Sequence, residues 1–454
     1  MVLGEMFMVT KNEIYEVEIE DLGMNGEGVA HIDGQVVFVP FAIVGEKVKV
    51  KIINTKTKIA VGKIVEILRK SNDRVQPKCK YFEKCGGCDL QHLNYNKTLE
   101  FKQMQVRKNL KQIAKLDVMV SPCQKSEPYF YRNKCALPVI CENGQNKIGF
   151  FREFSHSVIE IDDCVVTKPF VADLIKITKN YMQKFNLFGF DEQNHSGDIK
   201  HIVARKVGEF LIVTLVVTNL NIKGVEFFYQ KLQEKFKNCS LWLNLNTLNN
   251  NVIFGDKFVF KFGKKQIFQN IMGLRVSVNP ASFLQVNDEI CEKIYTKVQD
   301  EIEEDSIVID AYSGAGIMTG ITAKKSKHSY GLEIVKQATE DANFLKQINN
   351  ISNMTNINGD CSKTLCELLK TKKEEKINII LDPPRKGCDK RVLDAVILSG
   401  ASKIIYISCN SATLARDLAY LTQNSNYKVK YVEPFDMFPQ TRHVETLCIL
   451  GLEK

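Results

Sequence analysis

A doubly wound α/β domain preceded by two β-rich units is the fold class that these 454 residues predict. Three observations carry it. Short strands with period-two alternation fill residues 13–69, mixed aromatic, basic and β-rich segments fill 125–270, and from about 276 apolar strands alternate with helical stretches. A chain of this length exceeds one ordinary core, and the composition shifts divide it at 1–70, 71–275 and 276–454.

In the first unit, the alternating runs around Tyr15, Val17 and Ile19, then VVFVP, EKVKVKI and IAVGKIVEIL, are separated by the turn segments LGMNGEG and HIDG. They predict a small five-stranded barrel of the oligonucleotide-binding kind. In KVKVKI, Val48, Val50 and Ile52 face one way and Lys47, Lys49 and Lys51 the other. One wall is thus a basic stripe suited to phosphates. Lysine also keeps an exposed strand soluble, and on the stripe alone the two uses weigh equally.

The second unit opens with PKCKYFEKCGGCDLQ, which sets Cys79, Cys85 and Cys88 in a C-x5-C-x2-C pattern. Three thiolates on a tight loop call for a metal or cluster, with a fourth ligand from elsewhere. Zinc usually takes shorter gaps, which favours an iron–sulfur cluster held by four thiolates. A strongly helical stretch follows, LNYNKTLEFKQMQVRKNLKQIAK. Further on, FYRNKC groups Tyr131, Arg132 and Lys134, and HIVAR adds His201 and Arg205. Aromatic rings with guanidinium groups suit splayed single-stranded bases, while lysine holds phosphate.

Composition narrows the function classes around these motifs. No apolar stretch nears the roughly 20 residues of a membrane span, and MVLGEMFMVTKNE lacks the basic-then-apolar layout of a signal peptide. A cytoplasmic protein is expected. Its 14 cysteines then sit in a reducing compartment, where metal binding, catalysis and burial are their uses. Lys and Arg number 62 against 53 Asp and Glu, a net charge of +9 that favours a polyanionic partner. Nothing demands more than a monomer.

In the third unit, IVIDAYSGAGIMTG reads as a buried strand ending at Asp310, followed by Gly314 and Gly316 in a tight turn into a helix. Glu333 closes the next strand, where a carboxylate can accept both hydroxyls of a ribose. The spacing G-x-G-x-x-x-G departs from the dinucleotide fingerprint and suits a ligand without pyrophosphate. S-adenosylmethionine fits, because its sulfonium and amino group favour carboxylates: Glu333, Asp360 at the third strand end and Asp382 at the fourth. Asp382-Pro383-Pro384-Arg385 freezes the fourth loop with two prolines. Amino-methyltransferases carry an aromatic ring where Arg385 stands, so exocyclic amine methylation is the weaker reading.

Cys409, in ISCNSATLARD, ends the predicted fifth strand just ahead of a helix that Ser411 or Thr413 can cap. A thiol near a helix N-terminus is biased toward thiolate, the nucleophilic form. Pyrimidine C5 is too electron-poor to attack a sulfonium methyl. A thiolate added to C6 makes C5 enolate-like, and a base must later remove the C5 proton. FDMFPQTRHVETLCIL offers His443 and Glu445 for that work, and either suits it on residue chemistry alone.

In SFLQVN (282–287), DAYSGAG (310–316), GLE (331–333), LDPPRKG (381–387), ISCN (407–410) and DMFPQTRHVET (436–446), the chain resembles the RNA uracil-5-methyltransferases, specifically the iron–sulfur branch acting on large-subunit ribosomal RNA. The resemblance implies Cys409 as nucleophile and Glu445 as the base that takes the C5 proton. It implies donor contacts from Gln285, Tyr312, Glu333, Asp360 and Asp382, and Cys164 as fourth ligand of a [4Fe-4S] cluster. The barrel looks like that family's RNA-binding TRAM domain. Ile317 departs from the polar residue often found after the second glycine. The expected partner is a ribosomal RNA loop carrying the target uridine, turned out of its stack. Transfer RNA is the alternative substrate, and a silent RNA-binding factor on the same scaffold the alternative class. Since transfer-RNA members generally lack the barrel and the cysteines, both features point to ribosomal RNA.

Overall fold

The structure is a computed structural model describing residues 9–371 and 376–453. Six strands build the amino-terminal unit: β1 Ile14–Glu18, β2 Asp21–Leu22, β3 Gly28–Ile32, β4 Gln35–Val39, β5 Lys47–Lys56 and β6 Ile59–Arg69, in the order β1-β5-β6-β4-β3-β2. β1 and β2 are two halves of one bent strand. Between them Ile19 accepts from Gly45 and Glu20 donates to Val29, so the ring of strands meets itself. Alternation packs Val17, Val37, Val39, Val48, Val50 and Ile52 inside. Arg74 clamps this unit to the next: its guanidinium meets the fully buried Glu46 carboxylate at 2.5 and 2.8 Å.

Helix α1 (Tyr95–Asn109) continues into a π-helical turn, Leu110–Ala114. Beyond it lies a seven-stranded sheet: β7 Lys134–Glu142, β8 Gln145–Phe151, β9 Val158–Glu160, β10 Ile199–Val207, β11 Phe210–Val217, β12 Cys239–Leu245 and β13 Lys257–Gly263. Its order is β13-β12-β11-β10-β7-β8-β9, and α2 (Val171–Phe185) and α3 (Val225–Lys235) bury their apolar stripes against it. A hairpin follows, β14 Ile267–Ile271 with β15 Leu274–Val278.

The last sheet alternates with helices: α4 Asp288–Glu301, β16 Ile307–Ala311, α5 Ile317–Ala323, β17 His328–Glu333, α6 Lys336–Ile348, β18 Met354–Asn358, α7 Cys361–Lys370, β19 Ile377–Leu381, α8 Lys390–Ser399, β20 Lys403–Ser408, α9 Ser411–Gln423, β21 Tyr427–Phe435 and β22 Glu445–Leu452. Its order is β18-β17-β16-β19-β20-β22-β21, parallel except where β22 runs antiparallel to both neighbours. Buried strands such as INIIL and KIIYI fill the core between helix layers.

Two segments cross the division at 275/276. Val106, Leu110, Ala114 and Val120 join the core of the last sheet, and Ser121 and Gln124 donate to Val432 and Pro434 on its edge strand β21. The β14–β15 hairpin packs Ile267, Leu274, Val276 and Val278 on Ile317, Ile321 and Leu345. Amphipathic pieces follow the surface that buries their apolar side, whatever their place in the chain. Among the described residues no helix is long and apolar enough to cross a membrane.

Lys102, on the buried side of α1, forms a fully buried ion pair with Asp436, whose other oxygen accepts from Tyr95 Oη at 2.8 Å. Replacing Lys102 by methionine strands a buried carboxylate. The expected loss is about 3–5 kcal/mol, checked by urea denaturation followed by tryptophan fluorescence and circular dichroism.

Candidate active site

Parallel strands β16 to β20 end along one edge of the sheet, the face where ligands sit in open α/β folds. Because β22 runs the other way, its first residue arrives at that same edge. Thr446 pairs with Ser408, which sets Glu445 beside Cys409, the residue following β20. This one antiparallel strand brings two distant sequence positions together.

The glycine loop after β16 has the geometry its spacing demands. Gly314 and Gly316 take φ of 53° and 75°, and Tyr312, at 71°, is held by N–H donation to Leu332. A Cβ on Gly314 would meet nothing within 4 Å, so this glycine faces open space, whereas on Gly316 it would strike Ala342 at 2.7 Å. Glu333 accepts from the N–H of Gly314 at 2.9 Å and of Val335 at 2.8 Å, which fixes its carboxylate at the end of β17. Asp360 caps α7 by accepting from Ser362 N and Oγ, and those bonds hold its carboxyl below the usual range. Gln285 lies in the loop before α4, where its carbonyl accepts from Asn133. On the same loop Phe283 is 80% exposed.

Asp382 opens into the cleft, yet protein on its other sides strips enough water to push its carboxyl up to about 7. Asp310, wholly buried and bonded to Thr319 Oγ1 at 2.6 Å, is also pushed by burial to about 7. Burial, and then the charge of Asp382, drives Glu445 far above the ordinary carboxyl value, against the opposing pull of Arg385. His443 is lowered to about 4 by burial and by Arg385, Arg442 and Lys102, so it is neutral near pH 7.

Cys409 corrects an expectation. Its thiol is raised, chiefly by burial and next by Glu445, while Arg385 opposes. Asn410, rather than Ser411 or Thr413, caps α9: its side chain accepts from the N–H groups of Ala412 and Thr413. The Asp382–Cys388 loop is in turn gripped by α9. Asn410 and Thr413 donate to the Arg385 carbonyl, and Asp417 accepts from Cys388 N at 2.8 Å and Tyr406 Oη at 2.6 Å. Since thiolate is lost below the thiol pKa, alkylation of Cys409 by iodoacetamide should accelerate across the alkaline range with a midpoint above that of free cysteine. Arg385→Ala removes the opposing cation and should move that midpoint further up, as read from rate against pH.

The other sequence-predicted positions fall outside this cleft or at its rim. Lys47 pairs with Glu16 and Lys49 with Glu66, so glutamates interrupt the expected stripe, while Lys51 faces Lys63 across the strand pair. Arg132, Lys134 and Arg205 form a cation group: Arg205 lies opposite Lys134, and burial followed by its two arginine neighbours lowers Lys134 to about 8. Arg205 is buried and spends its guanidinium on the Ser282 carbonyl at 3.2 Å. Cys79, Cys85, Cys88 and Cys164 lie close enough to feel one another's charge, and burial raises Cys85 to about 11. Among the described residues no three His, Cys, Asp or Glu side chains stand at metal-ligand spacing.

With that geometry in place, comparison with known proteins is decisive. The family profile described as tRNA (Uracil-5-)-methyltransferase matches residues 94–453, and the TRAM domain profile matches 9–65. The chain belongs to the tRNA (uracil-5-)-methyltransferase family. It is 37% identical over 449 residues to a Clostridium tetani protein described as an uncharacterized RNA methyltransferase, covering 97% of both chains. A protein so described from Listeria monocytogenes is 38% identical over 454 residues, covering 99% of this chain and 100% of its own. The crystal structure of Pyrococcus abyssi tRNA (uracil-54, C5)-methyltransferase with S-adenosyl-L-homocysteine superposes with a TM-score of 0.78 at 26% identity, over 96% of this chain and 99% of that one. So little is left uncovered that the match takes in the barrel, which therefore does not by itself separate ribosomal from transfer-RNA members.

As a family member the protein is an S-adenosylmethionine-dependent RNA methyltransferase. Its donor is cationic, and the carboxyl of Asp382, which opens into the cleft, is pushed up to about 7. Ionisation grows with pH, so donor affinity should rise with it. One required group of pKa 7 gives binding about tenfold weaker at pH 6 than at pH 8, with proton uptake by buffer visible in calorimetry across buffers of different ionisation enthalpy.

Proposed function

We propose that the protein methylates C5 of a uridine in large-subunit ribosomal RNA through a covalent bond between Cys409 and C6. The juxtaposition of Cys409 and Glu445 by the antiparallel β22 carries this reading. The Cys409 thiolate adds to C6 and pushes electron density onto C5. C5 attacks the sulfonium methyl, and S-adenosylhomocysteine leaves. Glu445 takes the C5 proton, the C5–C6 double bond re-forms, and the C6–S bond breaks to return the thiolate. Burial suits Glu445 to this step, since a carboxylate of raised pKa is a stronger base than a solvated one. Neutral His443 lines the approach rather than competing for the proton.

Gln285, Tyr312, Gly314, Gly316, Glu333, Asp360 and Asp382 surround the donor in this reading, with Gly314 giving open approach and Glu333 facing the ribose. Lys134, desolvated beside Arg132 and Arg205, would regain favourable electrostatics from a phosphate, while Lys51, opposite Lys63, offers a basic pair on the barrel. What supports an iron–sulfur cluster in this reading is that four thiols from two loops are near neighbours, although they do not stand at metal-ligand spacing. Cys79, Cys85, Cys88 and Cys164 would hold it, and it would supply a cross-link between those loops.

A second reading, methylation of transfer RNA, rests on the full-length likeness to the Pyrococcus abyssi enzyme. Labelled S-adenosylmethionine incubated with unmodified large-subunit ribosomal and transfer RNA transcripts separates the two. 5-Methyluridine in the ribosomal transcript is the expected product. 5-Methyluridine in transfer RNA alone moves the assignment to the second reading, and a methylated base other than 5-methyluridine contradicts both.

A further inference from the structure

The segment leading to Glu445 is tied at one end to the catalytic sheet and at the other to the cysteine loop. At its start Asp436 meets Lys102, the Met437 carbonyl accepts from Asn287 at 3.3 Å, and the Pro439 carbonyl accepts from Tyr131 Oη at 3.2 Å. Gln440 and Arg442 look elsewhere. The Gln440 carbonyl accepts from the N–H groups of both Asp89 and Leu90, each at 3.0 Å, and Gln440 itself adopts φ of 68° to present it. Arg442 donates its backbone N–H to Asp89 Oδ2 at 3.1 Å and its Nη1 to Asp89 Oδ1 at 2.9 Å and to Glu153 Oε1 at 3.0 Å. Asp89 follows Cys88 directly. Glu153 sits on the turn after β8 that also touches the loop, where Gly86 donates to Phe151 and a Cβ on Gly86 would strike Glu153 N at 2.8 Å.

We propose that Arg442 is a positioning residue: with Asp89, Glu153 and the Gln440 carbonyl it latches the approach to Glu445 onto the cysteine loop, so that the order of that loop sets how well Glu445 reaches the C5 proton. The inference rests on the proposed function above. Two residues, His443 and Val444, separate Arg442 from Glu445, and Val444 is buried, so movement at the latch passes into the first residue of β22. Proton removal is the step most exposed to such movement, because a misplacement of about 1 Å can cost roughly 100-fold in rate. Thiolate addition and methyl transfer depend on Cys409, held separately by α9.

The test uses the full-length protein and whichever transcript, ribosomal or transfer, the unaltered protein methylates. Arg442→Ala is compared with Asp89→Asn combined with Glu153→Gln, which loosens the latch from the far side and leaves 440–445 unchanged. For both, turnover should fall about 10- to 100-fold with KM falling alongside it and kcat/KM little changed, while a methyl-labelled, denaturation-stable protein–RNA adduct accumulates beyond the trace level of the unaltered protein. A fall in turnover without that adduct, or no fall, overturns the latch. Failure of the unaltered protein to form any adduct with 5-fluorouridine RNA would instead remove the reading on which it rests.

Discussion

Cys409→Ala protein is expected to bind S-adenosylmethionine and RNA but to transfer no measurable methyl group, a loss of roughly 10⁴-fold or more. The side chain makes no contact that the fold needs: it is half-exposed, the cap of α9 belongs to Asn410, and the loop it faces is held by Thr413 and Asp417. Alanine therefore leaves the site standing and removes only the sulfur. Donor affinity by calorimetry and labelled-methyl transfer, measured together, check this. Weakened donor binding in parallel with lost transfer would mean that the residue shapes the pocket instead of attacking the base.

Glu445→Gln is expected to stop the reaction later. Glutamine is nearly isosteric, so methyl transfer can proceed once, but the amide accepts no proton from C5. Turnover should fall about 10²–10⁴-fold while methylated protein–RNA adduct builds up toward one per active site, read by denaturing electrophoresis with labelled donor. The same substitution relieves a buried acidic group next to Asp382. Removing it takes away a charge that raises the Cys409 thiol. Faster alkylation of Cys409 in this variant at fixed pH is a second expected sign.

Much of the site was legible because it depends on single residues with strong backbone demands. Two glycines after an aspartate-ended strand force a turn that only they adopt easily, and the next strand's terminal glutamate meets that turn directly. Strand-end placement of Cys409 and Asp382 followed from apolar runs of known length. What stayed hidden is pairing between distant segments. Nothing in EFKQMQVRKN marks Lys102 as the partner of Asp436, since its neighbours Phe101 and Gln103 do not share its burial. The Arg442–Asp89 link is equally silent, both residues reading as ordinary loop charges. The Asn410 cap, by contrast, was there to be read in C-N-S-A-T, while the burial and the Glu445 charge that raise the Cys409 thiol were not. The partners of the basic stripe stayed hidden as well: Glu16 and Glu66 lie on strands whose register with β5 alternation alone does not reveal.

The most direct measurement is mass spectrometry of the protein after incubation with S-adenosylmethionine and RNA carrying 5-fluorouridine, whose fluorine cannot leave as a proton. A methylated fluorouracil nucleotide attached to the peptide containing Cys409 is the predicted result. Attachment to another residue, or efficient methyl transfer to unmodified RNA with no trapped species on the fluorinated one, would contradict it.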